Sequence, residues 1–151
     1  MRLVVQRVSG ASVRTGSREL GSIGRGAVVL VGIAPTDDDE IVDRMATKLI
    51  GLRYFTDAEG RTNLALGDIG GALLVVSQFT LLADVRHGRR PGFTDAAPPE
   101  VAAPLVDRFV ATLRAAGITV ETGEFGALMD VGLVNEGPFT LVVDSAESLS
   151  G

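Results

Sequence analysis

The sequence predicts an α+β fold in which a mostly antiparallel sheet carries two principal helices. Three observations lead there. Apolar residues alternate or run together over short lengths in Arg2 to Val13, Ala27 to Ile33, Leu73 to Leu82, Ile118 to Thr122 and Leu141 to Val143, which is the patterning of strands. Only Ile41 to Ile50 and Val101 to Leu113 repeat apolar residues at helical spacing. Arg2 to Val13, Leu20 to Ile23 and Ala27 to Ile33 are also joined by short glycine-containing turns with no room for a helical crossover, so they should pair antiparallel.

Taken in order, Arg2 to Val13 sets Leu3, Val5 and Arg7 against Val4, Gln6 and Val8, then adds Ala11 and Val13, as a long first strand would. Gly16 to Arg18 turns the chain into a short strand, Leu20 to Ile23, and Gly24 to Gly26 turns it again into Ala27 to Ile33, apolar enough for deep burial. Pro35 and Thr36 end that strand. Thr36 is the expected cap of the first helix, whose opening turn, Asp37 to Glu40, complements the positive end of the helix dipole. Ile41, Val42, Met45, Leu49 and Ile50 supply its buried face. Leu52 to Phe55 and Asn63 to Leu66 are extended around an Asp57-Ala58-Glu59-Gly60 turn, and Gly70-Gly71 releases the chain into the central strand.

That strand reads Leu-Leu-Val-Val-Ser-Gln-Phe-Thr-Leu-Leu from Leu73 to Leu82. Four aliphatic residues suit a strand buried on both faces, and hydroxyl and amide groups follow where such a strand surfaces. Continued alternation would point Ser77 and Phe79 one way and Gln78 and Thr80 the other. The stretch is either a core strand with polar ends or the edge of a site. Asp84 to Phe93 is polar and rich in breakers, hence a surface loop. Pro98-Pro99 opens a second helix with Val101, Leu105, Val106, Phe109, Val110 and Leu113 on one face and Gly117 at its end; Pro104 lies either in the first turn or at a kink. Ile118 to Thr122 returns to strand, Phe125 to Met129 is a short turn or helix, and Val131 to Val134 and Leu141 to Val143 are strands flanking Asn135 to Thr140. No linker or repeat divides the chain, so residues 1–145 form one domain and 146–151 a tail expected to fray.

Composition narrows the function. There is no cysteine and one histidine, His87, which excludes disulfides, thiolate nucleophiles and histidine-rich metal centres; neither a metal nor a cofactor is called for. No apolar run suits a signal peptide or a membrane span, so a cytoplasmic protein with no membrane partner is expected. The formal net charge of −5 disfavours indiscriminate adhesion to nucleic acid. Arg86, His87, Arg89 and Arg90 nevertheless crowd one loop, a local basic patch suited to a few phosphates or simply solvated.

With Ser77-Gln78-Phe79-Thr80-Leu81 and Asn135-Glu136-Gly137-Pro138-Phe139-Thr140 both in view, the chain resembles the D-aminoacyl-tRNA deacylases. The likeness runs from Met1 to about Asp144 and includes Gln6-Arg7-Val8, Asp57 to Gly60, and Arg90-Pro91 with Phe93. Phe139 stands where a smaller aliphatic residue is expected, and Gly92 where serine is; both departures bear on local packing. The resemblance implies a homodimer of a barrel-like fold that hydrolyses the ester linking a D-amino acid to the terminal adenosine of tRNA. It also implies that Gly137-Pro138 is cis and enters the pocket of the other subunit, opposite Ser77 to Thr80, and that the ribose 2'-hydroxyl assists the attacking water.

The residues fit that chemistry without a covalent intermediate. An aminoacyl ester is already reactive, and backbone N–H groups near Gln78 and Phe79 are candidates to receive the developing oxyanion. Thr80 and Ser77 are the tempting nucleophiles, yet a hydroxyl attacks well only beside a base. They serve better as positioning groups. A cis Gly137-Pro138 would turn two carbonyls to one side, toward the substrate ammonium, so that an L side chain meets the wall. Such exclusion admits D-residues of many sizes and glycine, making glycyl-tRNA a second substrate. Taken alone, without the family likeness, the Gly-Pro pair reads first as an ordinary turn. Arg7 either braces that loop through its carbonyls or is an exposed strand arginine. Phe125 and Met129 match positions the family uses around the terminal adenine, or else pack in the core. Arg86, Arg89 and Arg90 are candidates for tRNA phosphates. A non-catalytic RNA-binding module and a Ser/Thr-dependent small-molecule esterase are the alternatives.

Overall fold

The computed structural model describes residues 1–150, and it is α+β. Its long first strand, β1 (Arg2–Thr15), pairs antiparallel along one edge with both β2 (Arg18–Ile23) and β3 (Gly26–Gly32). The other edge carries the last strand, β8 (Asp130–Asp144), also antiparallel. Beyond β3 lie β6 (Ala72–Ser77) and then β7 (Thr119–Thr122), both parallel to their neighbours. Parallel neighbours need a crossover, and the two principal helices supply it: α1 (Asp39–Gly51) between β3 and β6, α2 (Pro99–Ala115) between β6 and β7. A separate hairpin joins β4 (Arg53–Thr56) to β5 (Thr62–Ala65).

The sheet curls until β2 meets β6 and β7, which makes it nearly closed and barrel-like. Gly21 permits that approach, because a Cβ there would stand 3.1 Å from the Glu121 Cβ and 3.3 Å from the Thr122 carbonyl oxygen. Residues Leu73 to Val76 of β6 are at most 2 % exposed. Their alternation divides them between two apolar clusters: Leu73 and Val75 face Leu3, Val5 and the helices, while Leu74 and Val76 face Val8, Val13 and Val28. This is the strand buried on both faces that its composition indicates.

Helix α1 is capped by Asp38, whose carboxylate accepts the Ile41 amide at 2.9 Å, and not by Thr36. Asp37, expected in the first turn, is buried and accepts both the Met1 ammonium and the Ala34 amide at 2.6 Å. Arg108 of α2 reaches across to Asp43 and Asp39 of α1, and its hydrogen bond holds the Asp43 carboxyl below the usual carboxylate range. Exposed pairs of this kind are screened by solvent and contribute little. Truncating a buried Phe costs about 3–5 kcal/mol, so fully buried Phe109 and its neighbour Leu113 dock the helix. Pro104 lies past the first turn, exposed inside an unbroken helix, where it cannot donate to the ladder. The segment from residue 146, expected to fray, lies largely in a short helix, α3 (Ser145–Ser148), tied to α1 by Lys48 on the Ser148 carbonyl and Arg44 on that of Leu149. Gly151 lies outside the described residues. No helix among the described residues is long and apolar enough to cross a membrane.

Tyr54 is 1 % exposed and its hydroxyl has no hydrogen-bond partner among the described residues. Burial pushes the phenol well above its ordinary pKa. An unsatisfied buried hydroxyl costs about 1–3 kcal/mol, so Tyr54→Phe should leave the thermal midpoint unchanged or raise it by a few degrees; a clear fall in calorimetry would reveal a partner for the hydroxyl.

Candidate active site

Strand β6 ends at Ser77 because the next amide, that of Gln78, makes a last ladder-like bond to the Val31 carbonyl at 2.7 Å before the chain coils into a 3-10 turn, Phe79–Leu82. The alternation expected through Thr80 therefore stops at Ser77. Gly32 makes room for the turn, since a Cβ there would lie 3.1 Å from the Leu81 Cβ and 3.2 Å from the Gln78 carbonyl. The Gln78 amide is consequently spoken for and is no free oxyanion donor. Phe79 and Thr80, first in the turn, have amides with no acceptor among the described residues. The Gln78 side chain donates to the Thr80 hydroxyl across a very short contact.

Beside this turn lies a cavity of about 610 Å3. It brings together Ser77, Gln78, Phe79, Phe125 and Met129, all singled out from the sequence; Thr80 stands on the same turn but off the lining. Phe93, Pro98 and Ala102 complete its walls, and the Phe93 ring meets Phe79 edge-on at 5.0 Å. Met129 is held by its sulfur, which accepts the Glu124 amide at 3.3 Å and lies so near Gly123 that a Cβ there would be 2.6 Å away. No residue lining the cavity bears a charge. The lining offers no titratable side chain for acid–base catalysis, only the Ser77 hydroxyl and the Gln78 amide, whereas a flat base and a polarised carbonyl both find a surface.

Arg7, Gly137 and Pro138 form a second cluster, outside that lining. Gln6 pairs with Thr140 and Val8 with Asn135, so Glu136 to Phe139 are extruded opposite the single residue Arg7. Far from being an exposed strand residue, Arg7 is 9 % exposed. It donates to the Glu136 carbonyl at 2.9 Å and the Tyr54 carbonyl at 2.8 Å, so it braces the residue before the Gly-Pro pair and not the pair's own carbonyls. The Gly137-Pro138 peptide is cis, and both residues are exposed. Gly137 has φ +131°, and a Cβ on it would lie 2.5 Å from an Arg7 guanidinium nitrogen.

Asn135, not among the residues singled out from the sequence, ties the extruded segment together. Its carbonyl oxygen accepts the Phe139 amide at 2.7 Å and its amino group donates to Thr140 at 2.9 Å, spanning the extruded segment. The available signal was an Asx residue four positions before a backbone amide that has no ladder partner. Phe139, larger than expected, lies under the Arg7 guanidinium at 4.6 Å and stacks on Tyr54. Gly92 is not forced to be glycine: a Cβ there would meet only Asp84, at 3.8 and 3.9 Å.

The basic loop is closed by paired Asp84 and Gly92 amides and carbonyls at 2.8 Å. Arg86 belongs to that closure, binding both Asp84 carboxylate oxygens and, by those hydrogen bonds, holding the carboxyl down to about 2. Arg89 and Arg90 are exposed and have no ion-pair partner among the described residues, so they alone of the three are uncommitted. His87 is exposed and hydrogen-bonds neither Ser77 nor Thr80.

Residues 4–144 match the family model described as D-Tyr-tRNA(Tyr) deacylase. The chain is 58 % identical to the D-aminoacyl-tRNA deacylase of Chloroflexus aurantiacus over 147 residues, covering 97 % of this chain and 92 % of the relative. Among solved structures, a c-Myc DNA unwinding element binding protein aligns with TM-score 0.89 at 37 % identity, over 95 % of this chain and 98 % of its own. A probable eukaryotic D-amino acid tRNA deacylase aligns with TM-score 0.83 over 94 % and 97 %; at 22 % identity it supports the fold. With a match across nearly its whole length and more than half its residues shared with such a relative, the chain belongs to the D-Tyr-tRNA(Tyr) deacylase family.

Proposed function

We propose that this protein is a hydrolase that cleaves the ester of D-aminoacyl-tRNA, and of glycyl-tRNA, as a homodimer in which each cavity is completed by the Gly137-Pro138 segment of a second copy. One observation carries the two-copy reading: the Gly-Pro segment is exposed, firmly braced by Arg7 and Asn135, and absent from the lining of its own chain's cavity. A braced, exposed element with nothing to act on in its own chain fits delivery to another. β8, which carries it, pairs among the described residues with β1 alone and shows Val134 and Val142 at 65 % and 68 % exposure, an edge suited to a partner.

In this reading the terminal adenine lies in the uncharged cavity against Phe125 and Met129, and the ester carbonyl reaches the open amides of Phe79 and Thr80. Losing one such donor costs roughly 3 kcal/mol of transition-state stabilisation, a large share of what an already reactive ester requires. The ribose 2'-hydroxyl of the substrate assists the water. Gly137 and Pro138 of the second copy offer carbonyls to the α-ammonium. With ammonium and ester oxygen both fixed, an L side chain is driven into the wall and a D side chain toward solvent, while glycine has nothing to exclude. The Thr80 hydroxyl accepts from Gln78 and has no base beside it, which favours positioning over the covalent esterase alternative. Arg89 and Arg90 are placed to meet acceptor-stem phosphates.

Purified protein in EDTA should deacylate D-tyrosyl-tRNA and glycyl-tRNA at least a hundredfold faster than L-tyrosyl-tRNA; equal rates on the two tyrosyl esters, or no turnover, would refute the reading. Thr80→Ala and Ser77→Ala should keep at least a tenth of kcat in single-turnover assays, and complete loss in a folded dimer would restore a covalent role. Gly137→Ala, which forces a Cβ onto Arg7 at a φ unfavourable to L-residues, should lower kcat/KM on D-tyrosyl-tRNA more than tenfold with the far-UV circular dichroism unchanged.

A further inference from the structure

A second cavity, of about 540 Å3, abuts the first. Ser77 and Phe125 line both, so the two share a wall one side chain thick. Where the first has no charged residue, the second is polar on one side, with Asp107 and Arg114 of α2 facing Glu124, and apolar on its floor, with Val75, Val106 and Val110. Two of the three charges are already engaged. Glu124 pairs with Arg18 at 2.9 Å, and Arg114 donates one N–H to the Val120 carbonyl at 2.7 Å. Asp107, exposed at the cavity's mouth, has no hydrogen-bond or ion-pair partner among the described residues, so its carboxylate is free to accept from a ligand.

We propose that this second cavity is a subsite for the base of the penultimate nucleotide of the tRNA, and that Asp107 reads its cytosine by accepting the exocyclic amino group. The inference rests on the deacylase reading above: a nucleoside in the first cavity must continue through its 5'-phosphate to a neighbour, and every mature tRNA places cytidine there. A volume of this size lies within the range of ligand sites. The base enters and the phosphate stays outside, because a phosphate in the cavity would face two carboxylates. An acidic acceptor suits the cytosine amino group, and uracil at the same position would turn its own carbonyl oxygen toward Asp107. Phe125, 39 % exposed on the shared wall, presents a ring between the two bases, a surface on which either can stack. Arg114, with donors to spare, offsets the negative field of Asp107 and Glu124 for the incoming polyanion.

Three non-hydrolysable inhibitors test this: 3'-D-tyrosylamino derivatives of adenosine, of cytidylyl-adenosine and of uridylyl-adenosine, measured by competition against D-tyrosyl-tRNA. The cytidylyl compound should bind the wild-type protein about tenfold more tightly than either of the others. Asp107→Asn should abolish the cytidine-over-uridine preference and leave the Ki of the adenosine compound unchanged. Ala111→Trp, at an exposed α2 position on the lining, should fill the cavity and bring the cytidylyl compound to the level of adenosine alone. Equal affinity of all three for the wild type, or a preference that survives Asp107→Asn, overturns the subsite while the deacylase reading stands. Failure of the adenosine compound itself to inhibit would remove the first cavity as the adenosine site, and this inference with it.

Discussion

The guanidinium of Arg7 is the tie on which the candidate site depends. It is almost wholly buried, and a buried charge is tolerable only when its donors are met by acceptors of good geometry. The acceptors come from two different places in the chain, the Tyr54 carbonyl on β4 and the Glu136 carbonyl on β8, while the aromatic face of Phe139 lies beneath. The Glu136 carboxylate stands 3.9 Å off, too far for a close pair but near enough to balance the charge. One side chain thus fixes the first strand, the β4–β5 hairpin and the extruded segment of the last strand relative to one another. Gly137 is pressed against the same group, so the conformation of the Gly-Pro pair and the position of Arg7 determine each other.

A comparable economy governs the other half of the site. Burial of Leu73 to Val76 on both faces leaves β6 no freedom to shift, and the Gln78 amide closes its ladder on Val31. The chain must then leave the sheet, and it does so in a turn packed so close to β3 that a side chain at position 32 would have to push Leu81 or the Gln78 carbonyl aside. The first amides of a turn have no internal acceptor, so the end of the most rigid strand is where unpaired donors appear. Rigid support beneath open donors is what electrostatic preorganisation requires.

Much of this was legible in the sequence, and the parts that were not share a cause. Periodicity announced β6, both helix faces and the hairpins, because apolar spacing reflects burial directly. It could not announce the 3-10 turn at Phe79, because the turn follows from a hydrogen bond between Gln78 and a residue 47 positions earlier, Val31. The same holds for the other misses. Thr36 looked like a cap until Asp37 was drawn inward by Met1 and Ala34, shifting the helix start to Asp38. Arg86 looked as free as Arg89 and Arg90, but Asp84 two residues before it takes both of its forks once the loop closes on Gly92. Arg7 was ambiguous because a strand arginine is buried or exposed according to what packs over it, and Tyr54 and Phe139 are distant in sequence. The two site motifs were visible as words, whereas their separation into two places on one chain was read only from the family resemblance, not from spacing.

That separation bears on how such a site can be both tolerant and selective. In the proposed reading, the group that develops charge meets backbone amides at the end of β6, and the group that defines handedness meets backbone carbonyls on the extruded part of β8. Neither element uses a titratable side chain, and the cavity between them has no charged lining. A site built of backbone dipoles cannot be tuned by a nearby pKa, but it also has no side chain whose rotation would admit the wrong isomer. Discrimination then depends on the distance between two rigid elements, one held by the β3–β6 ladder and the other by Arg7 and Asn135. Because the elements that hold them are distinct, position 139 can carry a residue as large as phenylalanine: its ring is absorbed beneath Arg7, on the bracing side of the loop, while Gly137 and Pro138 stay exposed.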